Sequence, residues 1–112
     1  MENIEEWLDG LKTTSKAIIV EGPNDKKALE HFGIRNIFVL SRQPMFAVME
    51  DVASQFDDAI ILTDYDKKGR IYYGKLSRGL QSLGVRIDNV FREFLYHKKL
   101  SHIEGLVNFV ER

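Results

Sequence analysis

Two short stretches of the chain combine carboxylates and cations in a way that bears on phosphate chemistry. Asp64 and Asp66 stand one residue apart in "TDYDKKGR", directly behind the apolar run Ala59–Leu62, and Glu21 closes an earlier apolar run, Ala17–Val20. Lys67, Lys68, Arg70, Lys75 and Arg78 follow Asp66 with no acid among them. Three carboxylates brought to one edge would repel, each raising the pKa of the others, and a divalent cation resolves that conflict. Oxygen-only donors, the absence of cysteine, and His31, His97 and His102 without metal-ligand spacing favour Mg²⁺ or Mn²⁺ over zinc. Mg²⁺ is commonly held by one or two carboxylates and completes its shell with water and phosphate oxygens. The cations begin where a helix N-terminus is expected, itself an anion-binding feature. Carboxylates for a metal beside cations for phosphate point to phosphoryl transfer or phosphodiester cleavage.

Plainer roles compete with each of these. Asp64 and Asp66 can cap the helix that follows, although one cap suffices. Asp-x-Asp-x-x-Gly also opens a calcium loop, but the fifth and twelfth places hold Lys68 and Lys75 where oxygen ligands are needed, so an EF-hand is rejected. A phosphatase using Asp-x-Asp would usually carry it on its first strand. Glu21 can be an ordinary strand end, Asp25 reads more readily as a helix cap than as a ligand, and the lysine run can be a solvated helix face. Tyr65, Tyr72 and Tyr73 are able to stack bases, with Tyr72 fitting a core stripe better.

The elements that must position these groups alternate. Ile4, Trp7, Leu8 and Leu11 have helical spacing, with Asn3 and Glu6 placed as a capping box. That helix and its connector occupy residues 1–15, free to cover their own domain or a second copy; one domain occupies residues 16–112. "KAIIVEG" reads as a strand buried on both faces, followed by a helix capped by Asn24 or Asp25 and stopped by Gly33. "NIFVL" is a second strand. Pro44 marks the first residue of a helix carrying Met45, Val48, Met49, Val52 and Phe56. "DAIILTD" is the third strand. The next helix turns Ile71 or Tyr72, Leu76, Leu80 and Leu83 inward, ends at Gly84, and contains Gly74 and Gly79 for close packing on the sheet. "VRIDNVFREFLY" holds a fourth strand. "SHIEGLVNFVER" closes as a helix with Ser101 and Glu104 as capping box and Ile103, Leu106, Val107 and Val110 inward. The alternation predicts a three-layer α/β/α domain with a four-stranded, mainly parallel sheet. In such sheets a site lies at the carboxyl ends of the strands, where the winding direction switches. Glu21 and Asp64 both stand at such ends.

"VEGPND" at one strand end and "TDYDKKGR" at a later one resemble the two motifs of the Toprim domain, a Rossmann-like module shared by topoisomerases, bacterial-type primases, OLD-family nucleases and the maturase of 5S ribosomal RNA. The likeness spans Lys16 to Phe94. It implies that Glu21 is the general acid/base and that Asp64 and Asp66, with Glu21, hold Mg²⁺. It also implies that Gly22 and Gly69 allow tight turns or close approach. Lys67, Lys68, Arg70 and Lys75 would then meet phosphate, with Asp25 in support. Arg70 departs from the topoisomerase pattern, where glutamate follows the glycine, and is closer to the primase-like form.

The remaining expectations follow from size and composition. The 112 residues are 44% hydrophobic and 29% charged, with net charge −1. That balance suits a single globular core, and a nucleic-acid partner must be argued from local charge. There is no apolar run of membrane-span length, the acidic N-terminus does not read as a signal peptide, and the lack of cysteine fits a reducing cytoplasm. A chain of this size is expected to lack the tyrosine-bearing domain of a topoisomerase and the zinc-binding parts of a primase. The expected function is Mg²⁺-dependent nuclease-like cleavage of RNA or DNA, of the RNA-maturation type. The alternatives are primase-like nucleotidyl transfer or a non-catalytic module binding nucleic acid or protein, with a protein partner or homodimer left open.

Overall fold

Ala17–Val20 is buried at every position, which a strand achieves only when both faces of its sheet are covered. The computed structural model, which describes residues 1–100 together with Ile103 and Gly105, shows how. The elements run α1 (Ile4–Thr13), β1 (Ala17–Val20), α2 (Pro23–His31), β2 (Ile37–Val39), α3 (Met45–Gln55), β3 (Asp58–Ile61), α4 (Lys67–Ser82), β4 (Arg86–Asp88) and α5 (Val90–His97). The four strands form one all-parallel sheet in the order β2-β1-β3-β4. Ile18 pairs with Ile37 on one side and Ile60 on the other.

The two-residue strand period sorts the apolar side chains into two layers. Ile18, Val20, Ile60 and Leu62 face Trp7, Leu8 and Leu11 of α1, Leu29 of α2, and Phe91, Phe94 and Leu95 of α5. Ala17, Ile19, Ala59 and Ile61 face Val48 and Val52 of α3 and Leu76 and Leu80 of α4. The first helix therefore covers its own domain. Trp7 is fully buried and its indole Nε1 donates to the carbonyl of Phe91 at 2.9 Å, so its one polar group is satisfied. Asn3 caps α1 as its sequence suggests, accepting from the Glu6 amide at 2.9 Å. Among the described residues no helix is long and apolar enough to cross a membrane.

Several expected boundaries move. The cap of α2 is Gly22, with Pro23 in the first turn, and Asp25 lies inside that turn, its carboxylate accepting from the Gly22 amide at 2.9 Å. Pro44 is the cap of α3, not its first residue. In α4, Tyr72 is half-buried and Ile71 exposed, and Leu83, expected inward, is the C-cap and equally exposed because the helix ends there. Gly84 follows with φ +87°. Gly79 does allow close packing, but against α3: a β-carbon there would stand 2.2 Å from Met49 Sδ. "VRIDNVFREFLY" is strand only through Asp88, whose Oδ1 accepts from the Val90 amide at 3.0 Å as the chain turns into α5. Phe91, Phe94 and Leu95 then follow helical spacing inward. The expected closing helix, with His102, lies outside the described residues, except that Ile103 is buried in the same apolar cluster as Trp7 and Phe94.

Candidate metal and phosphate site

From β1 the chain winds to β2 on one side and then places β3 on the other, so the winding switches between β1 and β3. Glu21 leaves β1 at this point, and Thr63 and Asp64 leave β3. The Asp64 amide donates to Glu21 Oε2 at 2.6 Å, joining residues 43 positions apart, and the Ser41 amide donates to the Glu21 carbonyl at 3.1 Å. Burial pushes the Glu21 carboxyl above its ordinary 4.5; the Asp64 amide pulls it down; the charges of Asp64, Asp66 and Asp25 push it up again. The acids of both motifs thus act on one half-buried group.

Asp66 caps α4 as its competing role allowed, Oδ1 accepting from the Gly69 amide at 2.8 Å, and it remains exposed. Asp25 is buried and supports the turn after Glu21. Gly69 answers a close approach: a β-carbon would stand 1.9 Å from the Asp64 carbonyl oxygen. At Gly22 the backbone is extended and a β-carbon would meet only Asp25 Oδ2, at 3.8 Å, an ordinary contact. Among the described residues no three His, Asp or Glu side chains converge as a ready-made metal cage. The donors nevertheless fit Mg²⁺ or Mn²⁺, since the set is all oxygen and one or two carboxylates suffice. The repulsion felt at Glu21 is what a divalent cation relieves.

The basic residues divide. Lys67, Lys68, Arg70 and Lys75 are all exposed, and the described ion pairs, Lys16–Asp88 and Arg86–Asp58, involve none of them. Lys68 leans over the Tyr72 ring at 5.5 Å and shares with Glu21, Ser41 and Gln43 a cleft of about 370 Å³. Arg70 points the other way, into a groove with Tyr65. Lys75 lies two turns along α4 and lines neither.

Sequence reasoning missed Arg92. Its guanidinium is buried behind the Asp64 loop, donating to the Thr63 carbonyl, to Thr63 Oγ1 at 2.9 Å and to the Asp64 carbonyl at 3.3 Å. It lies 4.2 Å and 4.6 Å from the ring centroids of Tyr65 and Tyr73. Tyr65 returns a hydrogen bond to the Arg92 carbonyl at 3.0 Å, and Thr63 Oγ1 donates to the Gly69 carbonyl at 2.8 Å. A buried cation is tolerable only with such partners. The available signal is an arginine inside the helical apolar spacing Phe91, Phe94, Leu95, which follows the fourth strand without a break that the sequence marks.

Fold and site together define a doubly wound α/β domain with an acidic switch-point site. The chain belongs to the Toprim domain family, whose model matches residues 16–91. It is similar to a UPF0292 protein of Thermococcus onnurineus, 38% identical over 94% of this chain and 79% of that one. A UPF0292 protein of Methanosarcina barkeri is 34% identical over all of this chain and 83% of its own. A solved structure of a protein from Aquifex aeolicus matches with TM-score 0.89 and 36% identity, over 94% of this chain and 99% of that one. Membership makes the chain a nucleic-acid-related, metal-binding module; domains of this family generally bind divalent ions such as Mg²⁺.

Proposed function

We propose that the protein is a Mg²⁺- or Mn²⁺-dependent enzyme that cleaves phosphodiester bonds in nucleic acid. The observation that carries this reading is the meeting of Glu21 and Asp64 at the β1/β3 switch point, beside the exposed cations of α4. Asp64 and Asp66, with Glu21, would hold the ion. When bound, such an ion neutralises phosphate charge and lowers the pKa of bound water. Glu21 is the residue to hold and move the proton, because its carboxylate is fixed by the Asp64 amide and borders a cleft. Lys68, in that cleft, and Arg70, on the far side of the loop, would receive phosphates from opposite directions, with Lys67 and Lys75 extending the field along α4. Arg92 holds the loop that carries both aspartates. A cytoplasmic setting belongs to the same reading.

Labelled RNA and DNA, incubated with Mg²⁺ or Mn²⁺, test this. Shortened products that disappear in Asp64→Asn/Asp66→Asn are expected. Equal products from wild type and variant would overturn the catalytic assignment. Extension in the presence of nucleoside triphosphates would replace cleavage by primase-like transfer. Saturable binding with no turnover, independent of metal, would make the domain a binding module.

A further inference from the structure

Across the Asp64 loop from the Glu21 cleft, Tyr65, Arg70, Tyr96, His97, Lys99 and Leu100 line a groove of about 470 Å³. We propose that this groove binds unpaired nucleotides, with bases against Tyr65 and Tyr96 and phosphates on Arg70 and Lys99, so that the substrate is single-stranded where it enters the site. The proposal rests on the phosphodiester reading above and names its substrate class.

Four observations support it. First, the two tyrosine rings lie 5.2 Å apart at 45°, and they differ in freedom. Tyr65 is held by its hydrogen bond to the Arg92 carbonyl and by the guanidinium over its ring, whereas Tyr96 is 58% exposed and has no core role. A fixed ring beside an adaptable one makes a stacking platform, and stacking tolerates any base because every base has a π-face. Second, the remaining polar lining is basic among the described residues: Arg70, His97 and Lys99. The acids described nearby line neighbouring recesses instead: Glu93 with Tyr73, Asn89 and Arg92 in one, and Glu93 with Glu2 in another that borders His97. Third, the groove is built at a defined backbone position. Lys99 has φ +58°, where glycine is usual, and the reversal is closed by the Lys99 amide on the Tyr96 carbonyl at 3.0 Å and the Leu100 amide on the Leu95 carbonyl at 2.9 Å. A side chain, and a cationic one, stands where the backbone alone would favour none. Fourth, Tyr65 lies between Asp64 and Asp66 in the chain, so a base stacked there brings its own phosphate to the carboxylate loop. Duplex bases are already stacked and paired, and cannot reach these rings without being extruded.

Fluorescence anisotropy in EDTA, where no cleavage competes, tests the idea with dye-labelled single-stranded DNA, single-stranded RNA and duplex DNA of about 12 nucleotides, within the usual span of a single-strand site. At least one single strand is expected to bind about tenfold tighter than the duplex, and which one identifies the nucleic acid. Tyr96→Ala should weaken that binding about tenfold, the scale of one lost stacking contact, and Tyr96→Phe should restore it. Lys99→Gly, which accepts the same backbone conformation, should weaken binding and reduce its logarithmic salt slope by about 0.7. Circular dichroism checks that each variant is folded. Equal binding of single strand and duplex, unchanged in Tyr96→Ala, overturns the groove while leaving the nucleic-acid reading intact. Failure of the wild type to bind any of the three in EDTA also overturns the groove, and the cleavage assay with Mg²⁺ or Mn²⁺ then decides the phosphodiester reading separately.

Discussion

At Gly69 a β-carbon would stand 1.9 Å from the Asp64 carbonyl oxygen and 2.8 Å from the Asp64 amide nitrogen, and both neighbours are backbone that cannot swing aside. Gly69→Ala is therefore expected to cost about 2 kcal/mol or more in denaturant unfolding, as overpacked sites do, and to weaken Mn²⁺ binding because Asp64 itself must shift. Glu21 presents the opposite case, a residue whose charge opposes folding. It is half-buried and repelled by Asp64, Asp66 and Asp25. Glu21→Gln keeps an oxygen for the Asp64 amide and removes that repulsion. Its melting temperature in EDTA should rise above wild type while metal-dependent cleavage is lost; a fall in both would show that the carboxylate is structural. Glu21, Asp64 and Asp66 were legible in the sequence because acids at the ends of apolar runs are conspicuous against their surroundings. Arg92 was not, because its importance lies in three oxygens and two rings contributed by other elements.

At the scale of elements, β4 is a three-residue edge strand, and its first residue, Arg86, donates to Asp58 of β3 at 2.5 Å while the two stand in register. The guanidinium holds the Asp58 carboxyl below its ordinary 3.8. A carboxylate that binds its proton less tightly folded than unfolded stabilises above the unfolded pKa, and the contribution disappears as pH falls through the folded one. Arg86→Ala should thus lower the melting temperature slightly near pH 7 and not at all near pH 2, with the difference shrinking in high salt because the pair is exposed. A difference that persisted at low pH would assign the effect to packing of the arginine stem. Element type was readable wherever the apolar period was sustained, as in α1, β1, β3 and α4. In "VRIDNVFREFLY" the fourth strand was readable but its end and the helix behind it were not, because a three-residue strand passes directly into an eight-residue helix and neither is long enough to display its period against the other.

For the molecule as a whole, a net charge of −1 conceals a local excess of cations, since Lys67, Lys68, Arg70, Lys75 and Arg78 follow Asp66 with no acid among them. If nucleic acid lies across this edge, affinity should fall steeply between 50 and 200 mM salt, and Lys68→Gln/Arg70→Gln should flatten the logarithmic slope by about 0.7 to 0.9 per charge removed. A salt-independent affinity would place the contact elsewhere. What the sequence by itself determined was local: alternating apolar runs, their conversion into strands and helices, and the residue types at two strand ends. Those follow from periodicity and from the rarity of clustered acids beside apolar segments. The strand order was decided only by the tertiary structure. It puts β1 beside β3, so that Glu21 meets Asp64 across 43 residues, and brings α5 behind the loop, so that Arg92 supports it and Tyr96 stands beside Tyr65. Such contacts depend on how two helical layers cover the sheet, which no single stretch of sequence records.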